Sequence, residues 1–558
     1  MQKTSPRYIP SPSRTVGPAA ALLAAMLAAT SAHAASQTWT NSASDLQWNT
    51  SSLDWSGAAW TNNNDAVFGA TGVGSIAVAS DVIVNDIAFN TAGYTLTGNL
   101  MLANDQASTF TATQSATIGA VIADNTAGAS SLTKAGANTL TLSGANTYTG
   151  GTTLGAGTLV IGNNSAFGTG ALALNGGTLK NATTSNWVLA NNISVGGGTT
   201  IDGAGKNLNL NGNISGSGAL SVTSSVNTAA TLTLGGDNSG YTGSLTTSNN
   251  LQGNALSFTS ASAGSASAAW VFNDNRVDRV RITIAGGGTI NFGSMAGAGN
   301  IQNDALATTS TISVGALNTS TTFSGTMKNN STGILALTKV GTGMLTLSGA
   351  STYTGGTTIS AGKLNVTGSI SGAGAVAVSG GTAATLGGTG TVGGVVTVTN
   401  GSRLAPGTIT SGSNFGSAGT LTLSNTSGLT LTSANLDFDL STTAGGTNDK
   451  ITLSGTNAPL SFSTLNFSFS GTTLDTTAAY TLIATNGTGA LTSGTLSDIT
   501  TDFSGVTGGS YAATYSFTTG TGLQVSFTAV PEPNELGLAI IGFLGVMVAI
   551  RRRRQQEG

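Results

Sequence analysis

An all-β fold of stacked parallel coils, a β-solenoid, is what this sequence predicts, and three observations carry the prediction. The first is a repeat. Leu132 to Leu159 reads LTKAGANTLTLSGANTYTGGTTLGAGTL and returns 205 residues later as LTKVGTGMLTLSGASTYTGGTTISAGKL, with 20 of 28 positions identical. A degenerate third copy lies between them, in Leu232 to Gly236 followed by Tyr241-Thr242-Gly243. The second is periodicity: Leu alternates with Thr in short runs separated by Gly, Asn and Ser, with no helical spacing. The third is composition. Gly is 81 of 558 residues, Pro only 8, charged residues 7% and hydrophobic residues 39%, which excludes collagen and highly charged disordered chains and suits an array of strands and turns. One unit buries too little apolar surface to fold alone, so stacking supplies the core.

Taken in order, residues 1–34 have the three parts of a secretory signal peptide: Lys3, Arg7 and Arg14, the apolar run Ala19 to Ala29, then Ala32-His33-Ala34. Signal peptidase is expected to cut after Ala34. Residues 35–131 hold Trp39, Trp48, Trp55 and Trp60 ahead of alternating strands such as Val82 to Phe89. Exposed, these rings would form a sugar-stacking platform; buried, they would close the open first coil, and the second reading is preferred because the cluster sits where a cap belongs. Residues 132–404 carry the repeats. With strands about 4.8 Å apart and coils of roughly 20 to 25 residues, the exported region makes a rod on the order of 100 Å long.

Residues 405–530 have denser aromatic alternation, as in Leu436-Asp437-Phe438-Asp439-Leu440 and Leu465 to Phe469, and read as the end of the solenoid or an antiparallel β cap. Residues 531–558 are a separate module: Pro531-Glu532-Pro533, the apolar run 536–550, then Arg551, Arg552, Arg553 and Arg554. A helix over that run reaches about 22 Å, short for a bilayer core of roughly 30 Å, yet it suffices for a short anchor. Four arginines after it hold that end in the cytoplasm and leave the solenoid outside.

Two segments resemble known families. The order of Pro531-Glu532-Pro533, apolar run and arginine cluster closely resembles a PEP-CTERM sorting signal, which implies recognition by an exosortase, a membrane protease that cleaves near the motif and removes the anchor. The two 28-residue units resemble autotransporter-associated β-strand repeats, which implies a right-handed parallel β-helix. A conventional autotransporter ends in a membrane β-barrel of many strands, whereas this chain ends in one apolar segment and arginines, so export by the general secretion route is expected.

The residues offer little chemistry. No Cys is present and the lone His33 falls in the signal segment, which excludes disulfides, thiolate catalysis and a histidine-activated serine. Between Ser36 and Val530 there are 18 aspartates against 11 lysines and arginines, a balance of −7 with no basic field for nucleic acid. An enzyme on this scaffold, a polysaccharide lyase or glycoside hydrolase, is the competing reading and needs two carboxylates about 5 to 10 Å apart. Asp437 and Asp439 share a strand face at about 7 Å, but the preferred reading makes them two solvated residues opposite Leu436, Phe438 and Leu440. The charge-dense stretch Asn273 to Arg281 lacks the Gly and Glu of an EF-hand loop, and it reads as a charged turn rather than a cation site or an acidic-polysaccharide contact. Gly196-Gly197-Gly198 is a solenoid turn without the Lys of a phosphate loop.

Within the repeat, Lys134 and Lys339 are the only recurring charges, and Tyr148 and Tyr353 are expected to close a turn rather than touch a ligand. No catalytic residue, metal or cofactor is expected. The expected role is an exported structural or adhesive solenoid of the cell surface or extracellular matrix, associated with exopolysaccharide, held in the membrane through residues 536–550 before processing.

Overall fold

The structure, a computed structural model, describes residues 34–530 apart from 104–106, 126–127, 227, 229, 249–254, 274–279 and 331. The signal segment through His33 and the tail 531–558 lie outside the described residues. What is described is all-β: short strands, three single-turn 3₁₀ helices and a parallel solenoid.

One ladder runs through the whole rod. Among the described residues it stacks 20 strands in parallel register, from Gln47–Trp48 to Leu491–Ser493. At about 4.8 Å per rung this ladder, called ladder I, is roughly 90 Å long. The other faces are built from shorter ladders. One of these, ladder II, stacks eight strands from Thr321–Phe323 to Ile499–Val506. Strand length explains the shape: the strands of the ladders are short, two to nine residues, and turns rich in Gly and Asn separate them, so the chain must bend and return one rung higher.

Alternation determines the core. In ladder I, Leu140, Leu159, Leu179, Ile201 and Val222 lie in register and are buried, while Thr139, Thr158, Thr178, Thr200 and Ser221 form the outward column beside them. Each buried Leu is worth about 1.5 to 3 kcal/mol over leaving it in water. Between ladder I partners the chain advances 19 residues from Leu142 to Ile161 and 25 from Leu245 to Trp270, close to the expected coil. It then advances 33 from Val396 to Leu429 and 31 from Leu429 to Leu460. The longer coils carry loops, the first of which is residues 407–419.

Both ends of the parallel ladder meet antiparallel chain. At the start, residues 54–56 run back along Ser36–Trp39, with Ser56 N–H donating to Thr38 O at 2.8 Å and Thr40 N–H to Asp54 O at 2.7 Å. At the finish, Gly522–Ala529 pairs antiparallel with Tyr480–Thr485, and Tyr511–Thr518 pairs antiparallel with Gly522–Ala529.

Candidate functional site

The four early tryptophans are not a sugar platform. Trp39, Trp48 and Trp55 are fully buried and Trp60 is 3% exposed. Their rings pack on one another, with centroids 4.6 Å apart for Trp55 and Trp60 and 5.2 Å for Trp39 and Trp55, and they rest on Phe68, which stacks on Phe89 one coil up. Indole faces turned inward offer a sugar nothing to stack on.

The polar residues that recur in the repeat also turn inward. Lys134 is buried, and its ammonium donates to the carbonyls of Ala135, Gly136 and Ala156 at 2.7, 2.8 and 3.0 Å. Lys339 repeats this with Val340, Gly341 and Ala361 at 2.6, 2.8 and 3.3 Å. The third carbonyl belongs to the next coil, so each ammonium joins two coils. Burial brings both lysines down to about 8. Tyr148 and Tyr353 are buried and share a hydrogen bond with Thr152 and Thr357 at 2.5 and 2.7 Å, which bears out their reading as turn closers. Asn146 accepts from Ile122 N–H at 2.8 Å and donates to Ala166 O, linking the coil below to the coil above. Ser351 holds the same place in the second unit and accepts from Met327 N–H at 3.1 Å, and Asn238 does so for Ile214 N–H in the degenerate copy. Periodicity could have found the lysines, because in Leu132-Thr133-Lys134 the third residue falls on the same face as the first.

The Asp437 and Asp439 reading needs correction. Alternation does put both on the outward face of ladder II, but they are not two solvated residues: Asp437 is fully buried and Asp439 half-buried. One rung below Asp437 and two residues back along the strand, Arg403 Nη1 reaches its carboxylate at 2.8 and 3.1 Å. Loop 407–419 folds back over the same face as a strap. Lys363 Nζ donates to Thr410 O at 2.8 Å, Asn414 Nδ2 to Asp437 at 2.7 Å, and Gly416 N–H to Asp439 at 2.6 Å. Gly419 N–H reaches Asp449 at 2.7 Å, and Asp449 also accepts from Asp439 N–H at 2.7 Å. Ile409 is buried against Gly387, where an added methyl would stand 2.9 Å from its side chain. Burial raises Asp437 above the ordinary carboxylate range against the pull of Arg403, and it pushes buried Asp449 up to about 8. Lys363 is lowered by burial. Charged groups therefore converge here, but each is engaged by the protein's own chain, and the strap leaves a sugar no direct access to Asp437.

Among the described residues, the other ion pairs lie apart from this face. Lys180 pairs with Asp202 at 3.2 Å and donates to Ser225 Oγ at 3.0 Å. Arg281 pairs with Asp304 at 3.3 Å; residues 274–279 of the charge-dense stretch lie outside the described residues. Gly196 to Gly198 fall in the turn between Ile193–Val195 and Thr199–Asp202, as expected. A polar cleft of about 230 Å³ lined by Ala444, Gly445, Gly446, Asn448, Lys450 and Thr481 offers one charged side chain and no partner carboxylate. Among the described residues no three His, Cys, Asp or Glu side chains group as metal ligands. No helix among them is long and apolar enough to cross a membrane.

The comparisons with known proteins fall on the repeat. The model of the Passenger-associated-transport-repeat family matches residues 132–161 and 337–366. A relative, the adhesin BmaC autotransporter of Brucella suis biovar 1 (strain 1330), is 36% identical over 130 residues, covering 23% of this chain. This chain spans only 4% of that relative's length. The two units first recognised by their internal identity are thus the segments that match the repeat family's model, carried on a parallel β-solenoid.

Proposed function

We propose that this chain is an adhesive, non-catalytic β-solenoid displayed at the cell surface or in the extracellular matrix and associated with exopolysaccharide. The observation that supports this best is the closure of its charged groups: Asp437 and Asp449 are buried, and strap and strand donors occupy their oxygens. The named adhesin relative and the repeat family point the same way. The coil is right-handed, as parallel crossovers are. The tryptophan cluster and the antiparallel Tyr511–Thr518 hairpin act as caps that stop copies from adding end to end.

Signal peptidase releases the chain after Ala34, and the tail anchors it until an exosortase cuts near Pro531, Glu532 and Pro533, with 536–550 in the membrane and Arg551 to Arg554 inside. Fractionation of the source cells, with and without residues 531–558, tests this. The full chain should yield surface material whose intact mass ends near Pro531, and the truncated chain should be lost to the medium. Retention of Arg554 in the surface form rejects the processing step.

The convergence of Lys363, Arg403, Asp437 and Asp439 on one face keeps a second reading in play, a lyase or hydrolase acting on acidic polysaccharide once the strap moves. Cleavage of such a polymer by the purified chain would favour it.

A further inference from the structure

The strap over ladder II joins the rod by backbone bonds at its two ends, Gly407 N–H to Gly388 O at 3.2 Å and Lys450 N–H to Gly419 O at 2.9 Å, and is otherwise tied down by side chains. Its four side-chain attachments come from three different places in the solenoid: Lys363 on Gly362–Val366, Asp437 and Asp439 on Ala434–Asp439, and Asp449 ahead of Lys450–Leu453. Within itself the strap closes as a small hairpin, with Thr408 N–H donating to Ser417 O at 2.9 Å and Thr410 N–H to Ser413 O at 3.0 Å. Its outer residues Thr410, Ser411 and Gly412 are exposed, while Ile409 is buried and Phe415 half-buried.

Beneath it lies a face with a definite chemical character. Lys363, Thr385 and Arg403 stand in register on three successive rungs, which places the two cations about 10 Å apart along the rod axis. Gly387 and Ala405 stand in register beside them, leaving a shallow floor that Ile409 now occupies. Both cations are spoken for only by groups that acid or strap movement would remove. Lys363 donates to a strap carbonyl, and Arg403 pairs with Asp437.

We propose that the strap is an acid-released cover over an anion-binding face: protonation of its Asp437 anchor lifts residues 407–419 and leaves Lys363 and Arg403 to bind a sulfated or carboxylated polysaccharide lying along the rod. This deepens the polysaccharide association proposed above and rests on it. The groups that face Asp437 are Arg403 and Lys363 from earlier rungs, with Asn414 and Gly416 of the strap around the Asp437 and Asp439 pair. Burial pushes Asp449 up to about 8, above the window of the test, so acid release is read through Asp437. Burial raises Asp437 above the ordinary carboxylate range, against the pull of Arg403 and of its hydrogen bonds to Asn414 and Ser468. Once Asp437 is neutral, Arg403 and Lys363 keep their charge and the face turns from balanced to cationic.

The test uses the purified full chain and dextran sulfate, which stays ionised in acid, with uncharged dextran as control. The wild type should bind dextran sulfate about tenfold more tightly at pH 5 than at pH 7.5. Asp437→Asn should bind at pH 7.5 about as the wild type does at pH 5, and Lys363→Gln with Arg403→Gln should lose the acid gain. The double variant is decisive because the whole chain, with a pI near 5.1, loses negative charge in acid. A gain that survives in the double variant overturns the proposal, as does Asp437→Asn binding no better than wild type at pH 7.5. Hydrogen exchange on the wild type needs no variant: the Gly416 amide should lose protection between pH 7.5 and pH 5, after correction for intrinsic rates, while ladder I keeps its own. Equal protection at both pH values sinks the release step. Surface retention by the native exopolysaccharide with no dextran sulfate binding would reject this face and leave the proposed function standing.

Discussion

Replacing Lys134 by Met tests whether the repeat's buried charge holds coils together or merely fills space. Met has nearly the same length and carries no donor. The substitution strands three carbonyl oxygens, those of Ala135, Gly136 and Ala156, which now accept at 2.7, 2.8 and 3.0 Å. Each buried acceptor left unmade costs about 1 to 3 kcal/mol, and removing a desolvated ammonium gives part of that back, so a net loss of about 3 kcal/mol is expected. Lys339→Met should cost less, because its bond to the next coil, to Ala361 O, is longer at 3.3 Å.

In a stacked array the loss stays near the altered coil. Hydrogen exchange should therefore show weakened protection from Ser131–Ala135 through Thr158–Ile161, with the rungs beyond Val376–Val378 unchanged. The pH dependence gives a second readout. Both lysines sit near 8 in the fold, against about 10.4 in an unfolded chain. Between those values the unfolded chain binds more protons, so stability rises with pH across that window and is flat, for these groups, below it. The rise should shrink in the Lys134→Met, Lys339→Met double variant to what Lys363, also lowered by burial, contributes. A Met variant as stable as wild type at pH 7 refutes the coil-joining role.

Three further outcomes follow from the packing. Gly157 and Gly362 occupy the same place in the two units with φ of +69° and +63°, and an added methyl would stand 2.3 and 2.4 Å from carbonyls of the coil below. Alanine at either should cost about 2 to 4 kcal/mol in chemical denaturation, whereas alanine at Gly412, which has open space around it, should cost under about 1. Trp55→Ala empties the centre of the tryptophan cluster and should cost about 3 to 5 kcal/mol, seen as early loss of exchange protection from Ser36–Trp39 to Asn64–Phe68. Leu179→Ala removes one rung of the ladder I column and should cost about 2 to 5 kcal/mol, read by melting, with its effect confined to adjacent coils.

Much of the fold was legible because its signal is periodic. Leu and Thr alternate in Thr139–Leu142 and Thr158–Ile161, and the structure stacks those strands with Leu inward in register. Tyr148 read correctly as a turn closer because it sits among Gly and Thr, where only a coil corner can be. Lys134 stood out in the sequence only as a recurring charge, although its place in the alternation pointed inward. Asp437 shows a limit. Its outward direction was readable, but its burial depends on residues 407–419 returning over the face, and a Gly- and Ser-rich loop carries no periodic sign of where it lies down. The buried Asn146 and Asn238, which tie coils by their side-chain amides, were hidden for a related reason, since Asn is equally at home in an exposed turn.

The central claim, an adhesive rod without catalysis, meets its most direct test in one experiment. The purified chain is incubated with the exopolysaccharide of its source cells, and the mixture is resolved by size at pH 7.5 and pH 5. The polymer should carry the protein with it and keep its original size distribution. Shortened polymer that disappears with Asp437→Asn would contradict the claim and make the face under the strap a catalytic one.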